Sequence, residues 1–315
     1  MKLLCVFPPG PRDEEPVAVP GDWEVILVNR LDQLSDDDIA GADAMIVSHH
    51  NPIDRQAMER LRGLKLIQQI GVGVDTIDLA AARELGIPVA NVSKANDATV
   101  AEYVIMAMVY VMRRIPEAIE LAREGIAVQP AMIARGSFEL RGRTLGLVGF
   151  GAIARELATR ALAMGMSLVS HDIAELSDDE RRLGVRRLSL DELLARSDVV
   201  SIHVPLTDDT RHLIGPAQLA RMKPDAYLIN ASRGGIVDEA ALAAALTEKR
   251  LAGAAVDVYE VEPMRGDNPL IGAPNVLLTP HIAGATTDSV AYMSRKAFEN
   301  CGRIAAGLEP VDRVC

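Results

Sequence analysis

The sequence predicts an α/β protein of two consecutive units, each a parallel sheet covered by helices. Three observations predict it. Short aliphatic runs alternate with helix-like segments over almost the whole chain, the rhythm of strand–helix–strand units. Hydrophobic residues make up 49% of the composition while aromatics are only 3%, so the core must be built from Ala, Val, Leu, Ile and Met. That mix suits strands buried on both faces. Finally, 315 residues are too many for one core of ordinary size and fit two.

In the first unit, strands are expected over residues 3–7, 25–29, 44–48, 66–70 and 89–92. Helices fall between them over 54–61 and 78–85, the second stopped by Gly86 and Pro88. A long, nearly uncharged helix follows over 99–112, with Asn96-Asp97 as its N-cap. Apolar residues all round it imply burial between layers or subunits. Residues 125–142, with Pro130 and Gly136, read as an exposed loop. A second strand series begins at 144–148 and continues at 167–170, 199–203, 226–230, 253–256 and 276–278, and a closing helix covers 287–306.

The net charge of −11 leaves no basic stripe to neutralise phosphates, which argues against a nucleic-acid partner. The pairs Arg113-Arg114, Arg181-Arg182 and Arg186-Arg187 are interleaved with acids and read as solvated helix faces. Cys5, Cys301 and Cys315 have neither metal-ligand nor redox spacing and read as reduced thiols. The apolar run at 1–7 is broken by Pro8, Pro9 and Gly10, so no signal peptide is expected. The longest apolar stretch, 104–112, is far short of the ~20 residues that span a bilayer. A cytoplasmic protein without membrane partners is the expectation.

The segment Thr144-Leu145-Gly146-Leu147-Val148-Gly149-Phe150-Gly151-Ala152-Ile153-Ala154 reads as strand, glycine turn and helix start. Gly149 and Gly151 match the first two glycines of G-x-G-x-x-[G/A], and Ala154 fills the third place. Gly149 permits the sharp turn, Gly151 lets a pyrophosphate approach, and Ala154 lets the helix pack on the strand. The amides of Ala152 and Ile153 would meet the pyrophosphate at the positive helix end. Asp172 follows the next strand, 18 residues past Ala154, where an acid accepts hydrogen bonds from the adenosine ribose. Ile173 and Ala174 offer no cation to a 2′-phosphate, so NAD is expected rather than NADP.

Polar residues sit at the ends of three later strands, in Asn230-Ala231-Ser232-Arg233-Gly234-Gly235, Asp257-Val258-Tyr259-Glu260-Val261-Glu262-Pro263 and Thr279-Pro280-His281-Ile282-Ala283-Gly284. Ligands of open α/β sheets bind outside the carboxyl ends of strands, so these segments are candidates for the chemistry. They resemble motifs of the D-isomer-specific 2-hydroxyacid dehydrogenase family, which includes phosphoglycerate dehydrogenases and glyoxylate/hydroxypyruvate reductases. The resemblance covers nearly the entire chain. It takes in Gly71-Val72-Gly73-Val74-Asp75, Val100-Ala101-Glu102, the glycine loop and His203-Val204-Pro205-Leu206-Thr207 as well.

The resemblance implies a flavodoxin-like substrate domain of residues 1–97 completed by 286–315. Into it is inserted a doubly wound NAD-binding Rossmann domain of residues 98–285, with the long helix packing at a homodimer interface. It implies interconversion of a small 2-oxo acid and its D-2-hydroxy acid by hydride transfer, with Arg233, Glu262 and His281 as the catalytic set. Arg233 offers a fork of donors for the substrate carboxylate and carbonyl oxygen. His281 can give and retake the proton, and Glu262 beside it would favour the imidazolium. His203 could compete for the acid/base role, but the resemblance places it with Val204 and Pro205 against the nicotinamide. Thr99, Ala231 and Gly284 are further cofactor neighbours by the same resemblance, and Asp257 meets the carboxamide. The backbone of Val72 and Gly73 would hold the substrate carboxylate.

His49, His50 and Asn51 lie at a strand end and read either as specificity residues or as a capped turn. No metal site is expected, since His49-His50 has no third ligand at useful spacing. Relatives acting on phosphoglycerate often carry an arginine near Ser48, which this chain lacks, so a short unphosphorylated acid such as glyoxylate or hydroxypyruvate is favoured. D-3-phosphoglycerate dehydrogenase activity stays open, as do an NAD-binding corepressor-like protein and a hydrolase or isomerase holding NAD permanently.

Overall fold

Neighbouring side chains of a strand point to opposite faces, and in the first strand, β1 (Lys2–Val6), both faces are buried. Leu4 and Val6 enter one apolar cluster while Leu3 and Cys5 enter another. The computed structural model describes residues 1–7, 20–126 and 128–315, and Pro8, Pro9 and Gly10 lie outside them. The chain divides into two compact units, residues 1–96 with 286–315 and residues 97–285.

The first unit contains β1, β2 (Glu24–Val28), β3 (Ala44–Val47), β4 (Leu66–Gln69) and β5 (Val89–Ala90) in one parallel sheet of order β2-β1-β3-β4-β5. Its helices are α1 (Asp36–Ile39), α2 (Arg55–Arg60) and α3 (Leu79–Leu85). Asp54 and Asp78 cap α2 and α3 through their carboxylates, and Gly86 ends α3 in the left-handed conformation. The final helix of the chain packs on the opposite face through Ala297 and Cys301. There buried Asn300 donates to Gln68 Oε1 at 2.7 Å and to the Val311 carbonyl at 2.8 Å. The tail then covers the sheet edge, with Val314 donating to the Val89 carbonyl at 2.7 Å.

The second unit begins with α4 (Asp97–Met112), two residues earlier than expected, followed by α5 (Ile115–Arg123) and α6 (Val128–Ala134). The expected loop over 125–142 therefore contains a helix. Pro130 misleads there because it falls in the first helical turn, where its missing N–H costs nothing. Strands β6 (Thr144–Val148), β7 (Ser167–His171), β8 (Arg186–Arg187), β9 (Val199–Ile202), β10 (Tyr227–Asn230), β11 (Gly253–Val256) and β12 (Val276–Leu278) make the second sheet. Its order, β12-β11-β10-β9-β6-β7-β8, is all parallel and reverses direction between β6 and β9. Read from the β8 edge, it is the doubly wound dinucleotide-binding order with one more strand.

Helices α7 (Ala152–Ala163), α8 (Asp178–Leu183), α9 (Leu190–Arg196), α10 (Pro216–Leu219) and α11 (Glu239–Thr247) complete the second unit, and α12 (Thr287–Ala305) is the last helix of the chain. One face of α4 (Val100, Val104, Met108 and Val111) is buried in the core with α7, while Met106 is exposed. Within one chain the helix is therefore covered on one side. The reading of all three arginine pairs as solvated helix faces also needs correction. Arg181-Arg182 lies on exposed α8, but Arg114 adopts a left-handed cap before α5 and Arg186-Arg187 forms β8.

Candidate active site

The turn after β6 is forced by close packing. Gly149 has φ +90°, and a Cβ there would lie 2.6 Å from the His203 carbonyl oxygen, so only glycine fits. Gly151 differs, since a Cβ there would meet no protein atom. The space over it is open while the helix end beside it is uncapped, because Gly151 is the N-cap of α7 and has no side chain. The amides of Ala152 and Ile153, at the first helical positions, have no acceptor within the helix. Ala154 is fully buried against α4 and β6. These features fit a dinucleotide pyrophosphate, with room for the anion and a positive helix end to receive it.

Asp172 follows β7 and is tied to the same loop. Its Oδ2 accepts from the Phe150 amide at 2.7 Å and its Oδ1 from the Ala174 amide at 2.9 Å. A carboxylate held in this way still has lone pairs for ribose hydroxyls. Beneath it Arg187 donates to the carbonyls of Asp172 and Ala174 at 3.1 and 2.7 Å. Arg187 also grips buried Glu180 through two hydrogen bonds of 2.9 and 2.5 Å. Burial opposes the charge on Glu180, but bonds from Arg187, Ser170 and Ser177 outweigh it and hold the carboxyl at about 2. The guanidinium is thus committed to the underside of the loop.

His203, at the end of β9, has Ser201 Oγ 2.9 Å from its Nε2. Burial pushes its imidazole down to about 4, so at neutral pH it is the uncharged ring and not the imidazolium that a general acid requires. The adjoining Val204 side chain lies against Gly149. Pro205 accepts at its carbonyl from Thr210 Oγ1, which shapes the loop that follows. Thr99 is half-buried in the first turn of α4.

Arg233 is presented by a turn that Asn230 builds. This buried amide donates to the Arg233 carbonyl at 3.0 Å and accepts from Ser232 N and Oγ at 3.2 and 2.8 Å. Arg233 itself is half-buried and donates to the Ser232 carbonyl, and Ala231 beside it is half-buried too. Gly234 is needed for a different reason from the glycines of the loop. A Cβ there would sit 1.8 Å from the Tyr259 carbonyl oxygen, so the Arg233 turn lies directly on the Tyr259–Glu260 backbone.

The ends of β11 and β12 bring Glu262 and His281 together. Glu262 Oε2 is 2.7 Å from His281 Nδ1, and its Oε1 accepts from the Tyr259 amide at 3.0 Å, so the carboxylate is fixed at both oxygens. With Nδ1 facing the acid, the orientation of the imidazole ring is set. His281 has φ +57°, a conformation a non-glycine residue keeps only where its surroundings over-determine it. Here the His281 amide donates to the Asp257 carbonyl at 2.7 Å, while the Asp257 carboxylate accepts from Ile282 and Ala283 N at 2.9 and 2.8 Å. Burial raises the Asp257 carboxyl, against the pull of these bonds and of the Thr279 hydroxyl. Gly284 follows in the same turn, half-buried.

In the first unit, Val72 and Gly73 form the turn after β4, where Asn91 Nδ2 donates to the Val72 carbonyl at 2.7 Å. Asn51 joins the ends of β1, β2 and β3, donating to the Val6 and Asn29 carbonyls and accepting from the Leu31 amide. Its bonds make it a structural turn residue, whereas the His49 and His50 rings lie 3.8 Å apart between centroids with their planes tilted by 43°. Sequence reasoning missed Glu239 at the start of α11, which accepts from the Glu260 amide and from Asn268 and so holds the loop carrying Glu262. It also assigned no role to Tyr103, Tyr259 or Thr279. Tyr259 and Thr279 stand in strand-end segments of the sequence, but the task of each is visible only through its partner.

Residues 105–283 match the family model of the D-isomer specific 2-hydroxyacid dehydrogenase NAD binding domain. The chain belongs to this family. It is an NAD-dependent member acting on 2-hydroxy and 2-oxo acids. Among curated relatives of this dehydrogenase, (S)-sulfolactate dehydrogenase of Chromohalobacter salexigens is 43% identical over 265 residues, 84% of this chain and 85% of that one. Glyoxylate reductase of Korarchaeum cryptofilum is 40% identical over 279 residues, covering 88% and 83%. Among solved structures, the NAD-dependent formate dehydrogenase of Staphylococcus aureus in complex with NAD superposes with a TM-score of 0.85 at 28% identity, over 100% of this chain and 99% of that one.

Proposed function

We propose that this dehydrogenase reduces a short, unphosphorylated 2-oxo acid to its D-2-hydroxy acid, with His281 as the proton donor. The observation that carries this reading is the 2.7 Å hydrogen bond between Glu262 Oε2 and His281 Nδ1. NADH bound at the glycine loop supplies the hydride. Glu262 fixes the ring, so that Nε2 delivers a proton to the carbonyl oxygen. Arg233, held in place by Asn230 and Gly234, draws electron density toward that oxygen and grips the adjacent carboxylate. In oxidation His281 takes the proton back.

His203, neutral through burial, has the role of a cofactor wall together with Val204, Pro205, Thr99, Ala231 and Gly284. The amides of Val72 and Gly73 are assigned to the substrate carboxylate, and Asp257 to the nicotinamide carboxamide. NAD is favoured over NADP because Asp172 would face a 2′-phosphate while Arg187 is committed to Glu180. A homodimer is favoured by the apolar side chains that Met106, Ile119, Ile126 and Ile133 expose on and after α4. Three free thiols, two of them buried, suit a reducing cytoplasm. Among the described residues, no helix is long and apolar enough to cross a membrane.

The test is NADH oxidation against a panel of 2-oxo acids that includes glyoxylate, hydroxypyruvate, sulfopyruvate and phosphohydroxypyruvate, repeated with NADPH. Turnover is expected with a short unphosphorylated acid and NADH. Preference for the phosphorylated acid would overturn the substrate reading, and no turnover with any acid would overturn the reaction.

A further inference from the structure

Tyr103 lies on α4, far in sequence from every strand-end motif, yet its phenol oxygen is 2.5 Å from Thr279 Oγ1. Thr279 Oγ1 donates in turn to Asp257 Oδ1 at 2.6 Å. We propose that Tyr103 is a positioning residue for the acid/base step, acting through Thr279 and Asp257 to fix the left-handed turn that presents His281. The inference rests on His281 being the proton donor.

Hydrogen counting sets the direction of this chain. A threonine hydroxyl has one proton, and here it goes to the carboxylate. The Thr279 oxygen must therefore accept, which makes Tyr103 the donor. Two hydroxyls in series point at one buried anion, and each polarises the next. Burial raises the Tyr103 phenol to about 12, so it remains a donor across the working range of pH.

The anion at the end of the chain has one evident structural task. Asp257 Oδ1 and Oδ2 hold the amides of Ile282 and Ala283, and the Asp257 carbonyl holds the amide of His281. These are three consecutive residues of a turn whose first member has φ +57°. Tyr259 braces the other side, donating from its phenol to the Thr279 carbonyl at 2.9 Å. Thr279 is thus held at its hydroxyl by one tyrosine and at its carbonyl by another, two residues before the histidine. Loss of the Tyr103 oxygen leaves the Thr279 hydroxyl without a donor and weakens its bond to Asp257, so the turn can drift. A displaced imidazole slows proton transfer but leaves the glycine loop untouched.

Tyr103→Phe, which removes one oxygen and keeps the ring, tests the idea in the full-length enzyme with NADH and its best 2-oxo acid. A fall in kcat of about tenfold is expected, part of the 10²–10⁴ that a positioned acid contributes. NADH Kd should stay within twofold, and the solvent deuterium isotope effect on kcat should rise as proton transfer becomes more limiting. In the Thr279→Val background the same change should add nothing, because the chain is already cut. Wild-type kcat and isotope effect in Tyr103→Phe, or fully additive losses in the double variant, would overturn the proposal. If Tyr103→Phe does not fold, Thr279→Ser against Thr279→Val decides. Serine keeps the hydroxyl and should retain at least fivefold more kcat than valine; equal values would overturn the proposal. His281→Ala is run alongside. Turnover retained there refutes the acid/base reading itself, whereas turnover lost there with a normal Tyr103→Phe refutes only the role of Tyr103.

Discussion

Two turns at the carboxyl ends of strands in the second unit solve the same backbone problem differently. Gly149 and His281 both have positive φ, +90° and +57°. At Gly149 the solution is subtraction, since no side chain can fit beside the His203 carbonyl. At His281 the side chain is needed, so the conformation is held from outside by Asp257 and the residues that hold Asp257. A binding loop can be specified by what it lacks. A catalytic turn needs partners, and those partners come from α4, β11 and β12.

This contrast predicts a division of labour. The largest effect is expected from His281→Ala, which should lower kcat by about 10²–10⁴ in steady-state NADH oxidation while the protein remains folded. Gly149→Ala comes next. Crowding against the His203 carbonyl and an unfavourable φ should cost about 1–3 kcal/mol, seen as a roughly ten- to hundredfold weaker NADH Kd by fluorescence titration. Smaller still is Asp172→Asn, which keeps an acceptor for the loop but loses the charge; about tenfold weaker NADH with NADPH little changed is expected.

A separate effect is on stability against pH. The folded pKa of His203, about 4, lies below its ordinary value of 6.5, so below pH 6.5 the unfolded chain takes up a proton that the folded one refuses. The contribution of His203 is thus fully present above pH 6.5 and is lost as pH falls toward 4, up to about 2–3 kcal/mol. Asp257, raised by burial, acts in the opposite sense. His203→Asn isolates the histidine, because urea unfolding from pH 7 to 4.5 should show a shallower loss in the variant.

The contrast also explains what was legible in the sequence. Strands β6, β11 and β12 could be read to the residue because aliphatic runs and glycines mark both their faces and their ends. β8 could not, since it consists of Arg186-Arg187, with no apolar signal, and is ordered by pairing with β7 and by Glu180. The helix at Val128–Ala134 was hidden because Pro130 looks the same in a first turn as in a loop. Glycine spacing exposed the cofactor loop directly. His281, Glu262 and Arg233 were identified by residue type at strand ends and by family resemblance, but their supports were not. Tyr103 and Thr279 are 176 residues apart, and no local pattern links a helix tyrosine to a strand-end threonine. The Glu239 that holds the Glu262 loop looked like an ordinary acid at a helix start.

The most direct test of the account measures NADH Kd and kcat on the same preparations of Gly149→Ala and His281→Ala. A crossed result is expected. Gly149→Ala should weaken NADH while retaining much of its kcat at saturating cofactor, and His281→Ala should bind NADH as the wild type does and lose turnover. Near-normal kcat in His281→Ala, or NADH binding lost there as fully as in Gly149→Ala, would contradict it.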